Sequence, residues 1–273
     1  MTLPSLPGTS GIDIFDTAKG APATIDYSAA TQNLIVLLKA YPGSDWTLPG
    51  TTTTDSAVLV AHGYAADTPA AAAWGADIGV DLLIGVQNVT GGSGDDYIRD
   101  NANNNRIDGG AGSDWIEVTT GEDTVLGGAG DDHITIYDGQ SAGDVLDGGA
   151  GYDTLYLMPS FIPGVVSTGP LDLTIGSIHG FEEIDLYGGA KMSTQMLTSL
   201  TRITGYGSVV LADNGAVVAH GQDLSFGSLQ MADGGQLVDL TQTTGFLEMV
   251  YGARATTRSR APIWSTAASA TTS

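Results

Sequence analysis

Six aspartates and one asparagine recur in step between Gly91 and Tyr156: Asp96, Asn105, Asp114, Asp123, Asp132, Asp144 and Asp153. The interval is nine residues except for one step of twelve, from Asp132 to Asp144, where Ile136-Tyr137-Asp138 reads as an insertion. Two positions after each comes an aliphatic residue: Ile98, Ile107, Ile116, Val125, Ile134, Leu146 and Leu155. The unit is Gly-Gly-x-Gly-x-Asp-x-aliphatic-x, best kept at residues 91–99, 109–117, 127–135 and 148–156 and degenerate at 100–108, 118–126 and 139–147. Glycines permit sharp turns, the acid presents a carboxylate and the aliphatic residue points into a core. A flexible linker has nothing to hold acids and aliphatics in phase.

These residues resemble the RTX nonapeptide repeats of secreted bacterial calcium-binding proteins. The resemblance covers residues 91–156 and extends upstream through residues 79–90, with a similar phrase after the repeats in Gly180-Phe181-Glu182-Glu183-Ile184-Asp185-Leu186. It implies an all-β fold, a parallel β-roll in which two repeats make one coil and calcium sits between turns stacked on the same side. It also implies export through a one-step (type I) channel and a place outside the cell or on its surface.

In such a coil, residues 18 apart lie one strand spacing from each other, about 4.7 Å. Two carboxylates at that distance repel by roughly 3–4 kcal/mol at an effective dielectric of 20. A divalent cation between the turns reverses the sign. Calcium takes about six to eight oxygens in flexible geometry, whereas magnesium demands a strict octahedron. Zinc favours His or Cys; the block offers His133 alone, and the chain has no cysteine.

The coil sorts the copies onto two edges. The well-formed copies share one edge, with about three calcium sites expected between their turns. Asp96, Asp114, Asp132 and Asp153 are the expected side-chain ligands, completed by peptide oxygens from Gly91, Gly109, Gly127, Gly148 and the neighbouring Ser93, Ala111, Ala129 and Ala150. The other edge holds Asn105, Asp123 and Asp144 on turns poor in glycine, and Ile136 to Asp138 are expected to bulge there.

Composition supports metal rather than polyanion binding. The net charge is −22, and of 31 acids 14 lie in residues 91–156 against Arg99 and Arg106. Such a field repels nucleic acid and anionic membrane surfaces. No apolar run approaches the length of a membrane span, and the opening residues lack a basic region and an apolar core, so no cleavable signal is read there. Without disulfides, an exported chain needs another staple, and calcium can supply it.

The organisation read from the sequence is a tail at 1–19, a β-rich lead-in capping the roll at 20–90, the repeat block at 91–156, a β-rich solenoid continuation at 157–251 and a flexible tail at 252–273 that could carry an export signal. Thr24-Ile25-Asp26-Tyr27 and Leu34 to Leu38 read as strands, and Thr51 to Thr54 and Ala70 to Ala73 as loops with room for one short helix. Pro159, Pro163 and Pro170 mark an irregular crossing; Ile184 to Leu186, Val209 to Leu211, Leu229 to Met231 and Leu247 to Met249 suit further coils. No nucleophile elbow and no His-Glu-x-x-His stretch occurs, so a non-enzymatic role is expected, with a cell-surface polysaccharide as a candidate partner. The enzymatic alternative is a β-helix polysaccharide lyase or epimerase using Tyr187, Lys191, Arg202 and Tyr206; an accessory module of a secreted enzyme is a third reading.

Overall fold

The computed structural model describes residues 2–4, 12–16, 23–38, 71–76, 79–84, 86–137, 143–159, 170–231, 238–245, 247 and 249–251. Its strands stack in parallel, one coil upon the next. Strand Tyr97–Arg99 pairs with Trp115–Val118, then follow His133–Tyr137, Thr154–Met158, Glu183–Leu186, Arg202–Gly205, Val217–Ser225 and Val238–Thr244. A second sheet runs Ala23–Asp26, Val86–Thr90, Arg106–Ala111, Thr124–Ala129, Val145–Ala150 and Ser177–His179. Beyond the repeats a third sheet forms from Leu171–Asp172, Ala190–Met192, Ser208–Leu211, Ser228–Gln230 and Met249–Tyr251.

The nine-residue period explains the architecture. Residues 18 apart become register partners, as in Ile98↔Ile116↔Ile134, and the interval is 21 across the longer step, as in Ile134↔Leu155. One row of core side chains is Ile98, Ile116, Ile134, Leu155, Ile184 and Ile203, and the facing row is Ile107, Val125 and Leu146, all without solvent exposure. Alternation along each short strand sends one side chain inward and the next outward.

The all-β parallel roll and its solenoid continuation appear as expected: Ile184, Val209 and Leu229 fall in stacked strands of successive coils. Four details differ. The strand His133–Tyr137 runs straight through Ile136, which pairs with Val118 and Leu157, so the bulge is not at Ile136 and Tyr137; Asp138 lies outside the described residues. Ala71–Gly75 is a strand rather than a loop or helix, because antiparallel partners on both sides, Leu34–Leu37 and Gly79–Ile84, override alanine's weak strand preference. Residues 1–19 contribute strands Thr2–Pro4 and Ile12–Asp16 instead of only a tail. A short helix, Thr194–Ser199, begins at Ser193, whose hydroxyl accepts the Met196 amide at 3.1 Å. Thr51 to Thr54, Pro163 and the segment 252–273 lie outside the described residues.

Candidate metal centre

Each repeat turns at its glycines and brings its aspartate inward just before the strand. Asp114, Asp132 and Asp153 are fully buried, and Asp96, Asp123 and Asp144 nearly so. The carboxylates form a ladder along the edge of the roll. The amide of Asp96 donates to Asp114 Oδ1 at 2.8 Å, that of Asp114 to Asp132 Oδ1 at 2.8 Å, and that of Asp132 to Asp153 Oδ1 at 2.8 Å. At the N-terminal end the Leu34 amide donates to Asp96 Oδ1 at 2.8 Å, and at the other end the Asp153 amide donates to Glu182 Oε2 at 2.9 Å.

Only one oxygen of each carboxylate is used this way. The Oδ2 atoms of Asp114, Asp132 and Asp153 are buried and have no hydrogen-bond partner. A buried carboxylate oxygen left unsatisfied is costly, and three in a row favour either protonation or a bound cation beside them. The first-position glycines frame the same space. A Cβ built on Gly127 would lie 2.5 Å from Asp132 Oδ2 and run into the carbonyl of Gly148, one coil on. Gly91, Gly109 and Gly148 repeat the arrangement, with the carbonyls of Gly109, Gly127 and Gly180. A side chain here would fill a cradle walled by a carboxylate and a peptide oxygen.

Burial pushes the carboxyl of Asp114 up to about 8; the Asp96 amide opposes this, and the neighbouring charges of Asp96 and Asp132 add to it. Burial likewise raises Asp132, Asp123 and Asp144 to about 6, and raises Asp153. The chain alone therefore holds these groups reluctantly as anions. Among the described residues no three His, Cys, Asp or Glu side chains converge. The donor set is carboxylates in pairs with peptide carbonyls around them, which suits a hard cation and not zinc.

The third-position residues line the outer side of the turn. The carbonyls of Ala129 and Ala150 each accept an amide of the preceding coil, from Gly112 and Gly130, at 2.9 Å, and a carbonyl retains a second lone pair. Ala111 and Ser93 donate their amides to Gly92 and Ala30 at 2.9 and 3.0 Å.

The degenerate edge carries a ladder of its own: the Asn105 amide donates to Asp123 Oδ1 at 2.8 Å and the Asp123 amide to Asp144 Oδ1 at 2.9 Å. Asp123 Oδ2, Asp144 Oδ2 and Asn105 Oδ1 are also buried without partners. What differs in two of its three copies is the first position, where buried Asp100 and Val118 stand in place of glycine. Asp100 accepts from the Thr119 amide and hydroxyl, both at 2.7 Å.

The four residues of the enzymatic alternative are held in separate contacts. Lys191 sits on the third sheet with its ammonium 2.7 Å from Asp172. Arg202, on the long sheet, pairs with Glu183 at 3.6 Å and Asp223 at 3.4 Å. Tyr187 and Tyr206 meet edge to face at 6.5 Å.

Among the described residues the buried carboxylates between the turns of this parallel β-roll have no basic partner, an arrangement that suits a metal-binding solenoid. The family model of the RTX calcium-binding nonapeptide repeat matches in four copies, at residues 83–116, 90–124, 108–135 and 138–157, so this block is similar to that family of calcium-binding repeats. No curated protein matches the chain.

Proposed function

We propose that this is a secreted or surface-located bacterial protein whose roll folds around calcium outside the cell and serves a structural or adhesive role. The observation that carries the reading is the row of buried, partnerless Oδ2 atoms on Asp114, Asp132 and Asp153 facing glycine-opened space. Asp96, Asp114, Asp132 and Asp153 hold the ions by side chain. Peptide oxygens of Gly91, Gly109, Gly127 and Gly148, with Ser93, Ala111, Ala129 and Ala150 beside them, complete the shells. The three gaps between these four aspartates each take one ion, and Asp123 with Asp144 supplies weaker positions on the other edge. Calcium neutralises the ladder, beside which the described residues provide no cation.

Folding and binding are then one event. Extracellular modules bind calcium with dissociation constants of roughly 10⁻⁴–10⁻³ M, so the acidic chain stays open where free calcium is scarce and closes after type I export. The absence of cysteine and the charge of −22 support this order of events. Contact with a surface polysaccharide is supported by an outward aromatic group in which Trp115, 43% exposed, stacks on His133 at 5.3 Å and on Tyr156 at 5.7 Å. Such rings offer apolar faces beside polar edges to a partner. Among the described residues no helix is long and apolar enough to cross a membrane.

The test is a calcium titration of the chelated chain followed by circular dichroism and ion counting. The β signal is expected to rise with calcium and not with the same concentration of magnesium. A full β signal in excess chelator, unchanged by calcium, overturns the reading.

A further inference from the structure

We propose that one more calcium site closes the C-terminal end of the aspartate ladder, held by Asp153, Glu182 and the peptide oxygen of Gly180. The inference rests on the calcium reading above and extends it past the repeats: the family match ends at residue 157, and no aspartate occupies the ladder position of the next coil.

Register places Glu182 there. Thr154 pairs with Glu183, so Glu182 stands opposite Asp153, as Asp153 stands opposite Asp132. The backbone repeats the same contact: the Glu183 amide donates to the Asp153 carbonyl at 3.1 Å, as Thr154 does to Asp132 at 2.9 Å and His133 to Asp114 at 2.8 Å. The side chain repeats its contact too, since Glu182 Oε2 accepts the Asp153 amide at 2.9 Å where an aspartate Oδ1 does so inside the block at 2.8 Å.

The cradle is also complete. Asp153 Oδ2 is buried, has no partner, and lies 2.9 Å from where a Cβ on Gly148 would stand. That Cβ would run into the Gly180 carbonyl, just as one on Gly127 would run into that of Gly148. Gly180 is held at φ +75°, and its own Cβ would meet Asp147 Oδ1 at 2.5 Å and the Gly149 amide at 2.9 Å. Only glycine therefore brings this carbonyl to the site. One coil further on, Thr201 takes the ladder position and donates its amide to the Glu182 carbonyl at 2.8 Å, so the acidic series stops at Glu182. The site ties the repeat block to the metal-free coils that follow it.

The experiment counts calcium bound per full-length chain in the wild type, Glu182→Gln and Asp114→Asn, with hydrogen exchange of the segment 180–186 measured on the wild type with and without calcium. Glu182→Gln keeps an acceptor for the Asp153 amide and loses the charge. It is expected to bind one ion fewer than the wild type, and calcium is expected to slow exchange at 180–186 in the wild type. An unchanged count in Glu182→Gln alongside a lowered count in Asp114→Asn overturns this site and leaves the ladder standing. Exchange at 180–186 that ignores calcium also overturns it, even if Glu182→Gln fails to fold. A wild type that binds no calcium removes both this site and the reading on which it rests.

Discussion

At the scale of single residues, each ladder aspartate divides its labour between two oxygens. Oδ1 accepts an amide from the coil before, which is structural, while Oδ2 of Asp114, Asp132 and Asp153 is left for a ligand; Asp96 Oδ2 accepts the Gly92 amide at 2.9 Å. Asp114→Asn separates the two, because an amide oxygen still accepts the Asp96 N–H but carries no charge. We expect its calcium midpoint to rise by about tenfold or more, about 1.4 kcal/mol, with the β signal recovered at high calcium. Asn105→Ala is expected to leave that midpoint nearly in place, because Asn105 brings no charge; it forfeits a side-chain hydrogen bond to the Gln87 carbonyl and so lowers stability at every calcium level. Equal midpoint shifts in the two variants, read by circular dichroism, would contradict the assignment of charge-bearing ligands. The alternation of acid and aliphatic was legible in the sequence because every copy restates it. The split between Oδ1 and Oδ2 was not, since it depends on which coil each oxygen faces. Glu182 was visible only as part of a Gly-x-Glu phrase, because a crossing places it 29 residues from its register partner.

At the scale of elements, the turn glycines decide whether a cradle exists. Gly109→Ala places a methyl against Asp114 Oδ2 and the Gly127 carbonyl, and backbone cannot yield cheaply in a close-stacked roll. Gly109→Ala is expected to lose ordered calcium-induced folding, whereas Gly188→Ala, where a Cβ meets nothing within 4 Å, should titrate like the wild type. If calcium titrations of the two variants coincide, the first-position glycine is not what opens the site. The same contrast accounts for the degenerate edge. Its carboxylates stack as well as those of the better edge, yet buried Asp100 and Val118 occupy the first position in two of its three copies. The twelve-residue step was misplaced because Ile136 and Tyr137 look like an interruption of the motif, while in space they extend a strand against Leu157 and Met158. The strand Ala71–Gly75 was hidden for the opposite reason: one pairing partner, Leu34–Leu37, is distant in sequence and its own residues say little.

For the whole molecule, the ladder and Asp100 together make stability depend on pH in opposite senses with and without calcium. Carboxyls of Asp100 at about 7 and Asp114 at about 8, against an ordinary 3.8, bind protons more tightly in the folded chain than in the unfolded one, chiefly through burial. Their protonated forms favour folding. That contribution is complete below about pH 4 and is lost as pH rises through the folded values. With calcium chelated, acidification from pH 8 to pH 5 should therefore shift the open chain towards the folded form, read as a rise in β signal. Relief of general repulsion in a chain of charge −22 acts in the same direction, so the decisive comparison is with Asp100→Asn and Asp114→Asn, in which the rise should be smaller. With calcium bound, the ion holds the ladder ionised and protons compete with it, so the same acidification should lower the denaturant midpoint of the calcium-bound chain. The aliphatic spacing beyond the repeats made the continuous solenoid legible. Its response to acid comes from burial along the stack, which no single repeat displays. A chelated chain that loses β signal between pH 8 and pH 5, or variants that match the wild type, would show that the buried carboxylates are not what the empty roll must neutralise.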